Sequence, residues 1–354
     1  MKIEEKKWKA IKKLPKIDLH LHLDGSVKPG TVLDLAKTQG LILPGNTIDK
    51  IRPLLQIDEN CNSLKEYLSK FDLVSRVLQT SEAIERVAFE LVEQAYSTNC
   101  KYIEVRFGPQ LHREKGLTVE EVIFSVIKGL KKGERKFGVG ANAIACCLRH
   151  HAINQNIEVI QASAQFIDGG LAGVDLAGDE ASFPAFLFRR IFKFADKKRI
   201  PITIHAGEAA GSENIKEAVQ HLGATRIGHG VRLREDLHLL DYLSKNKIPL
   251  EMCPISNIQT KACSGWDDYP IREYFDLGLM VTVNTDNLTV SNTNLNKEYA
   301  MVMEKFNFTF KEIYQLVINS IDAAFISIEE KQLLKKQCKV EYDLISTGEE
   351  EVVI

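Results

Sequence analysis

His20 and His22, a third imidazole at His205 and a carboxylate at Asp286 form a mixed nitrogen and oxygen donor set of the kind that holds zinc, with water completing the shell. Side chains two apart in an extended strand point to the same side, so both rings of His20-Leu-His22 can reach one cation. An isolated H-x-H pair is equally well explained as structure. The metal reading gains weight because the donors end or follow strand-like runs, Ile17 to Leu19, Pro201 to Ile204 and Gly278 to Val283.

Acid and base groups lie beside these donors. Glu208 closes His205-Ala-Gly-Glu208, where Gly207 permits a tight turn before a helix near Ser212. Its carboxyl is either a proton shuttle beside the metal or a helix-entry charge favoured by the dipole. His229, between two glycines after the run Thr225 to Ile227, is free to face a pocket and to take or orient a proton of water. His112, His150, His151, His221 and His238 lack such context and are assigned no role. Cys253 reads as a small buried residue, Cys146 and Cys147 point to opposite faces of one strand, and Arg106 reads as a structural ion pair with a buried carboxylate.

Residues so far apart in sequence meet if they stand at the carboxyl ends of parallel barrel strands. Eight candidates alternate with helical patterns: Ile17 to Leu21, Tyr102 to Phe107, Ala141 to Cys147, Leu171 to Leu176, Ile202 to His205, Arg226 to Gly228, Leu250 to Cys253 and Met280 to Asn284. This pattern predicts an α/β fold, a (β/α)8 TIM barrel with extra helices inserted after the first strand. Ser63…Glu66, Thr118…Glu121, Thr309…Glu312 and Ser327…Glu330 each fit a capping box at a helix start. The expected organisation is one domain over 1–354, with a helical insertion at about 25–100 that includes helices over Ser63 to Leu78 and Ser81 to Ser97, and C-terminal helices at about 308–340. The acidic tail Glu349 to Glu351 is expected to fray.

With 46 Lys plus Arg against 48 Asp plus Glu, the chain has no global charge that would draw nucleic acid or an acidic membrane surface. Its apolar runs fall short of the ~20 residues that cross a bilayer as a helix. Seven cysteines without a C-x-x-C pair, and no secretory signal, point to a reducing cytoplasm. A small molecule is the expected partner, and protein partners are not predicted.

The motifs H-L-H-L-D-G at 20–25, S-L-K-E-Y-L-S-K-F at 63–71, E-V-R-F-G-P at 104–109, V-D-L-A-G-D-E at 174–180, H-A-G-E at 205–208, G-H-G at 228–230, C-P-I-S-N at 253–257 and N-T-D at 284–286 together resemble the zinc-dependent adenosine deaminases of the amidohydrolase superfamily. The resemblance runs from about Lys16 to about Lys331. It implies one Zn2+ per subunit on His20, His22, His205 and Asp286, with catalysis by Glu208, His229 and Asp286. It places His22 and Asp24 on the substrate, Asp24 at the ribose 5′-hydroxyl, and the Gly178 backbone at purine N3. The implied reaction is hydrolytic deamination of adenosine and 2′-deoxyadenosine in purine salvage, with zinc-activated water attacking C6 while Glu208 protonates N1. No organic cofactor is implied. Many members of the family carry Asp where this chain has Asn287; an amide can donate to N7 without first being protonated.

Five other readings have discriminating features. Adenine deaminases of the superfamily tend to carry Glu in place of Asp24, and an AMP deaminase needs a cationic phosphate pocket. A 5′-modified adenosine remains compatible with the apolar wall around Leu64, Tyr67, Leu68 and Phe71. A purely binding role would not require Glu208 and His229. A two-metal hydrolase would need a Lys at the end of the fourth strand, where Asp175 to Asp179 stands.

Overall fold

Parallel strands covered on both faces must be apolar almost throughout, and the eight runs that meet this condition become the barrel wall. They are β1 (Lys16–His22), β2 (Cys100–Phe107), β3 (Gly140–Leu148), β4 (Leu171–Ala177), β5 (Thr203–Ala206), β6 (Arg226–His229), β7 (Leu250–Met252) and β8 (Val281–Val283). The computed structural model describes residues 4–58, 61 and 63–346; the expected frayed tail lies outside them. All eight strands fall where the sequence pattern puts them, with β7 ending before Cys253.

The strands pair in parallel as β1-β2-β3-β4 and β5-β6-β7-β8. Two isolated parallel bridges, Val174 with Ile202 and Leu21 with Asp286, join the two sheets into a closed ring. At the second seam the Asp286 amide donates to the His20 carbonyl at 2.8 Å and the His22 amide donates to the Asp286 carbonyl at 2.7 Å. Backbone closure therefore holds three of the expected metal donors side by side.

Helices cover the outside of the ring. Ser81–Ser97 is the crossover from β1 to β2 and packs against Val119–Phe137, which follows β2. Gly129 and Gly133 let these two helices approach closely: a Cβ on Gly129 would lie 2.3 Å from the Glu85 carbonyl oxygen. The insertion over the carboxyl ends comprises helices Pro29–Thr38, Ile48–Leu55, Leu64–Leu68 and Asp72–Val77. The helix expected over Ser63 to Leu78 is thus two short pieces joined by a 3-10 turn at Ser69–Phe71. That break aims Leu64, Tyr67, Leu68 and Phe71 at one cavity. Phe310–Ala323 packs on β1 and β8, and Ile328–Ser346 packs on that helix.

Reciprocal capping boxes form at Thr118, Thr309 and Ser327, and the Ser63 hydroxyl accepts from the Glu66 amide. No helix among the described residues is long and apolar enough to cross a membrane. All seven cysteines are free.

The barrel interior is charged. Arg106 meets Asp175 at 3.0 Å and Glu251 at 2.7 Å, while Arg226 meets Glu251 at 2.5 Å and Glu104 at 2.6 Å. These side chains are essentially without solvent exposure, so each charge needs its partners to offset desolvation. Arg106 is accordingly the buried structural ion pair expected from its strand position.

Candidate active site

Alternation along β1 turns Asp18, His20 and His22 to the barrel interior and Ile17, Leu19 and Leu21 to the surrounding helices. His205 enters from β5 and Asp286 from just beyond β8. Four donor atoms converge. His205 Nε2 lies 3.1 Å from His20 Nε2 and 3.2 Å from His22 Nε2, and Asp286 Oδ1 lies 3.6 Å and 3.3 Å from the same two nitrogens. Zinc bonds of about 2.0–2.1 Å put neighbouring donors roughly 2.9–3.6 Å apart when a fifth position is kept for water, so these four spacings suit that ion.

The partners behind the rings make the same point. His20 Nδ1 lies 2.9 Å from Glu251 Oε2, and His205 Nδ1 lies 2.8 Å from Asp175 Oδ2. With His20 Nδ1 hydrogen-bonded to Glu251 and His205 Nδ1 within ion-pair distance of Asp175, the Nε2 atoms of His20, His22 and His205 converge on one point, an arrangement that a cation relieves. Burial, reinforced by the neighbouring positive charges, holds His20 and His22 well below the usual histidine range and favours the neutral, ligating form. Burial pushes His205 down too, but Asp175 beside it carries the ring above its ordinary value.

Glu208 is buried next to this cluster. Its Oε1 accepts the Thr260 hydroxyl at 2.9 Å, and its Oε2 lies 3.6 Å from His229 Nε2. Burial raises its carboxyl above the usual glutamate range, which favours retention of a proton.

His229 is held from behind. Asn257 Oδ1 accepts from the Cys253 amide at 3.2 Å and the Tyr269 hydroxyl at 2.9 Å, which leaves the Asn257 amide group to donate to His229 Nδ1 at 2.9 Å. That network assigns the ring hydrogen to Nε2, on the cavity side. Burial lowers this imidazole to about 3, so it is neutral at pH 7. Asp286 is oriented similarly: the Ser256 hydroxyl donates to Oδ2 at 2.6 Å, leaving Oδ1 toward the histidines. His229 and Asp286 both have left-handed backbones, at φ 64° and 59°, a conformation that costs non-glycine residues of order 1 kcal/mol or more and clusters at functional sites.

A cavity of about 390 Å3 opens above these groups, within the range that small ligands occupy. His22, Asp24, Gly178, His205, Glu208, His229, Asp286 and Asn287 all line it, with His20 behind them in contact with His205 and Asp286. All nine site residues read from the sequence therefore meet in one place. Its walls include the apolar side chains of the insertion with Leu111, Leu148 and Phe183, alongside Asp72, Ser75 and Asp179; among the described residues no Lys or Arg lines it. Asn287 packs where Gly25 leaves room, since a Cβ at 25 would fall 1.6 Å from Asn287 Oδ1.

His150, given no role from sequence, also lines the cavity; the turn after β3 brings it there, which helix and strand periodicity cannot reveal. Sequence alone does not pair Asp175 and Glu251, the carboxylates behind the ligands, with His205 and His20. Their signal was a charge within an otherwise apolar strand. Ser256 and Asn257 were visible only as letters of C-P-I-S-N.

Comparison with known proteins agrees with this geometry. The family model described as adenosine deaminase matches residues 15–340. An adenosine deaminase of Clostridium perfringens (strain 13 / Type A) is 44% identical over 322 residues, covering 91% of this chain and 97% of the relative. Among solved structures, an adenine deaminase from Arthrobacter aurescens superposes with a TM-score of 0.85 at 28% identity, over 92% of this chain and 98% of its own. The apo N6-methyl-AMP deaminase from Arabidopsis thaliana gives 0.82 at 26%, over 94% and 98%.

Proposed function

Since the chain belongs to the adenosine deaminase family, we propose that it catalyses the zinc-dependent hydrolytic deamination of adenosine and 2′-deoxyadenosine to inosine and deoxyinosine, with release of ammonia, in purine salvage. The observation that carries this reading is the meeting of His20, His22, His205 and Asp286 with a buried carboxyl and a neutral imidazole at the floor of one cavity. Zinc on His20, His22, His205 and Asp286, one ion per subunit, would lower the pKa of a water towards neutrality and so supply a nucleophile at pH 7.

The chain's own groups do the rest. Glu208 holds a proton and delivers it to purine N1, which weakens the aromatic stabilisation that resists attack at C6. His229, its Nε2–H on the cavity side, and Asp286, fixed by Ser256, orient the attacking water. One proton of the adding water goes to the exocyclic nitrogen as its oxygen bonds to C6; ammonia then departs and the remaining hydroxyl proton returns to the Glu208 carboxylate, which leaves the 6-oxo purine with N1–H and restores the acid. The Gly178 amide and the Asn287 side chain hold N3 and N7, and Asp24 with His22 engages the ribose. Burial pushes Asp24 up to about 6, so near neutral pH it offers both acceptor and residual donor character to a hydroxyl.

That no Lys or Arg among the described residues lines the cavity favours an uncharged nucleoside over a 5′-phosphorylated one. The same reading takes 1–354 as one domain, because insertion and barrel residues share the cavity wall, and places it in the cytoplasm, in keeping with seven free cysteines.

The test is to mix zinc-loaded protein with adenosine and follow the ultraviolet spectrum and ammonia in one sample. An inosine spectrum with stoichiometric ammonia is expected. No change with adenosine, but turnover of adenine or a 5′-modified adenosine, would replace this substrate assignment.

A further inference from the structure

Glu180, the last residue of V-D-L-A-G-D-E, takes no part in the roles above, yet it is only 1% exposed. Its carboxylate is surrounded by main-chain donors. Oε1 accepts the Gly207 amide at 2.7 Å, and Oε2 accepts the amides of Glu208 at 3.0 Å, Ala209 at 2.8 Å and Ala210 at 3.1 Å. Four successive N–H groups aimed at one point form an anion-binding concavity, and here the chain fills it with its own carboxylate.

The turn so held runs from His205 to the helix Ser212–His221 and carries Glu208 at its centre. Gly207 makes the reversal at φ 74°, and a Cβ there would fall 2.4 Å from Ile215 Cδ1. The turn is also held from the other side, since Arg149 donates to the His205 carbonyl at 2.7 Å and to the Phe183 carbonyl at 2.5 Å. Burial raises the Glu180 carboxyl, while Arg149 and the ring of amides pull it back towards the charged form. Among the described residues the Glu208 side chain has one hydrogen bond, from Thr260, so its placement depends heavily on its backbone.

We propose that Glu180 is the positioning residue for Glu208: by gathering the amides of 207–210 it fixes the turn that aims the Glu208 carboxyl at the substrate. This rests on the function proposed above, with Glu208 as the proton donor to N1. Glu180→Gln sets an NH2 group against N–H groups and opens the turn. Displacement of a reacting group by about 1 Å costs on the order of 100-fold in turnover.

The test uses the full-length zinc-loaded protein and compares the parent with Glu180→Gln, Glu180→Asp, Glu208→Gln and the double variant Glu180→Gln/Glu208→Gln. The expected result for Glu180→Gln is a kcat lower by about 100-fold, with KM for adenosine and zinc content within about threefold of the parent. Glu180→Asp, which keeps the charge, recovers at least about tenfold of that loss. The double variant is no more than about threefold slower than Glu208→Gln, because the group being positioned is already disabled. A Glu180→Gln kcat within about threefold of an active parent, or losses that multiply in the double variant, overturns the positioning role alone. A parent that leaves adenosine unchanged removes the function and the positioning role together. If Glu180→Gln does not yield folded protein by circular dichroism, Glu180→Asp and Glu180→Asp/Glu208→Gln close the same cycle, with the Glu180→Asp change expected to lower kcat against the parent but not against Glu208→Gln.

Discussion

Glu208 and Asn287 both offer a hydrogen to the purine in the proposed complex, but only Glu208 must first retain a titratable proton to do so. Glu208→Gln preserves shape and neutrality while removing the acid, so turnover is expected to fall by about 100-fold to 10,000-fold with zinc content and folding unchanged. Steady-state kinetics of that variant at parental rates would take Glu208 out of the mechanism. Asn287 is the complementary case, because its amide donates at every pH. Asn287→Asp adds a carboxyl that donates only when protonated, next to the negative charge of Asp286. The variant's kcat/KM is expected to decline on the alkaline side by about tenfold per pH unit once that proton is lost, where the parent shows no such limb. Superimposable pH profiles for the two proteins would exclude a donor role for Asn287.

Among the elements, the pairing of Ser81–Ser97 with Val119–Phe137 shows how a local sequence choice fixes a distance. A helix with glycine in its interior gives up about 1 kcal/mol relative to alanine. Here close approach is gained in return, since Gly129 faces the Glu85 carbonyl and Ala88, and backbone cannot move aside as a side-chain tip can. Gly129→Ala therefore trades a helix gain of about 1 kcal/mol against an overpacking cost of about 1–3 kcal/mol. The expected outcome is a net loss of about 1 kcal/mol in urea unfolding, with the kcat of the folded fraction unchanged because the contact lies on the outside of the barrel. A variant as stable as the parent would mean that the helix pair separates without cost.

Across the whole molecule, the ring of strands is sealed at β1 and β8 by the backbone of the metal donors, and the interior network of Arg106, Asp175, Glu251, Arg226 and Glu104 supports them from below. Removing Arg106 leaves Asp175 and Glu251 with less positive charge in a dry interior. Arg106→Met is expected to cost about 3–5 kcal/mol in stability and to weaken zinc binding by about 10-fold to 100-fold. Chemical denaturation and competition with a metal-sensitive dye read the two effects separately, and a variant unchanged in both would show the network to be dispensable. Zinc itself should stabilise the native barrel by about 4 kcal/mol when present at a thousandfold over its dissociation constant. Chelation is therefore expected to lower the melting temperature and abolish turnover, and added zinc to restore both; full activity in rigorously stripped protein would sink the metal assignment.

Strand identity, helix caps and the chemical types at His20, His22, His205, Glu208, His229 and Asp286 were all legible in the sequence, because burial periodicity, capping and turn chemistry depend on residues a few positions apart. The polarity of parallel strands then required those carboxyl-end groups to share one face. Which atoms meet was decided only by the closed barrel. Sequence placed Asp175 in β4 and Glu251 in β7, but their pairing with His205 and His20 depends on the register and closure of strands far apart in the chain. The same holds for His150 on the cavity wall, for Asn257 behind His229 and for Glu180 beneath Glu208. A hydrogen bond forms between neighbours in space, and for these residues that neighbourhood is created by the fold.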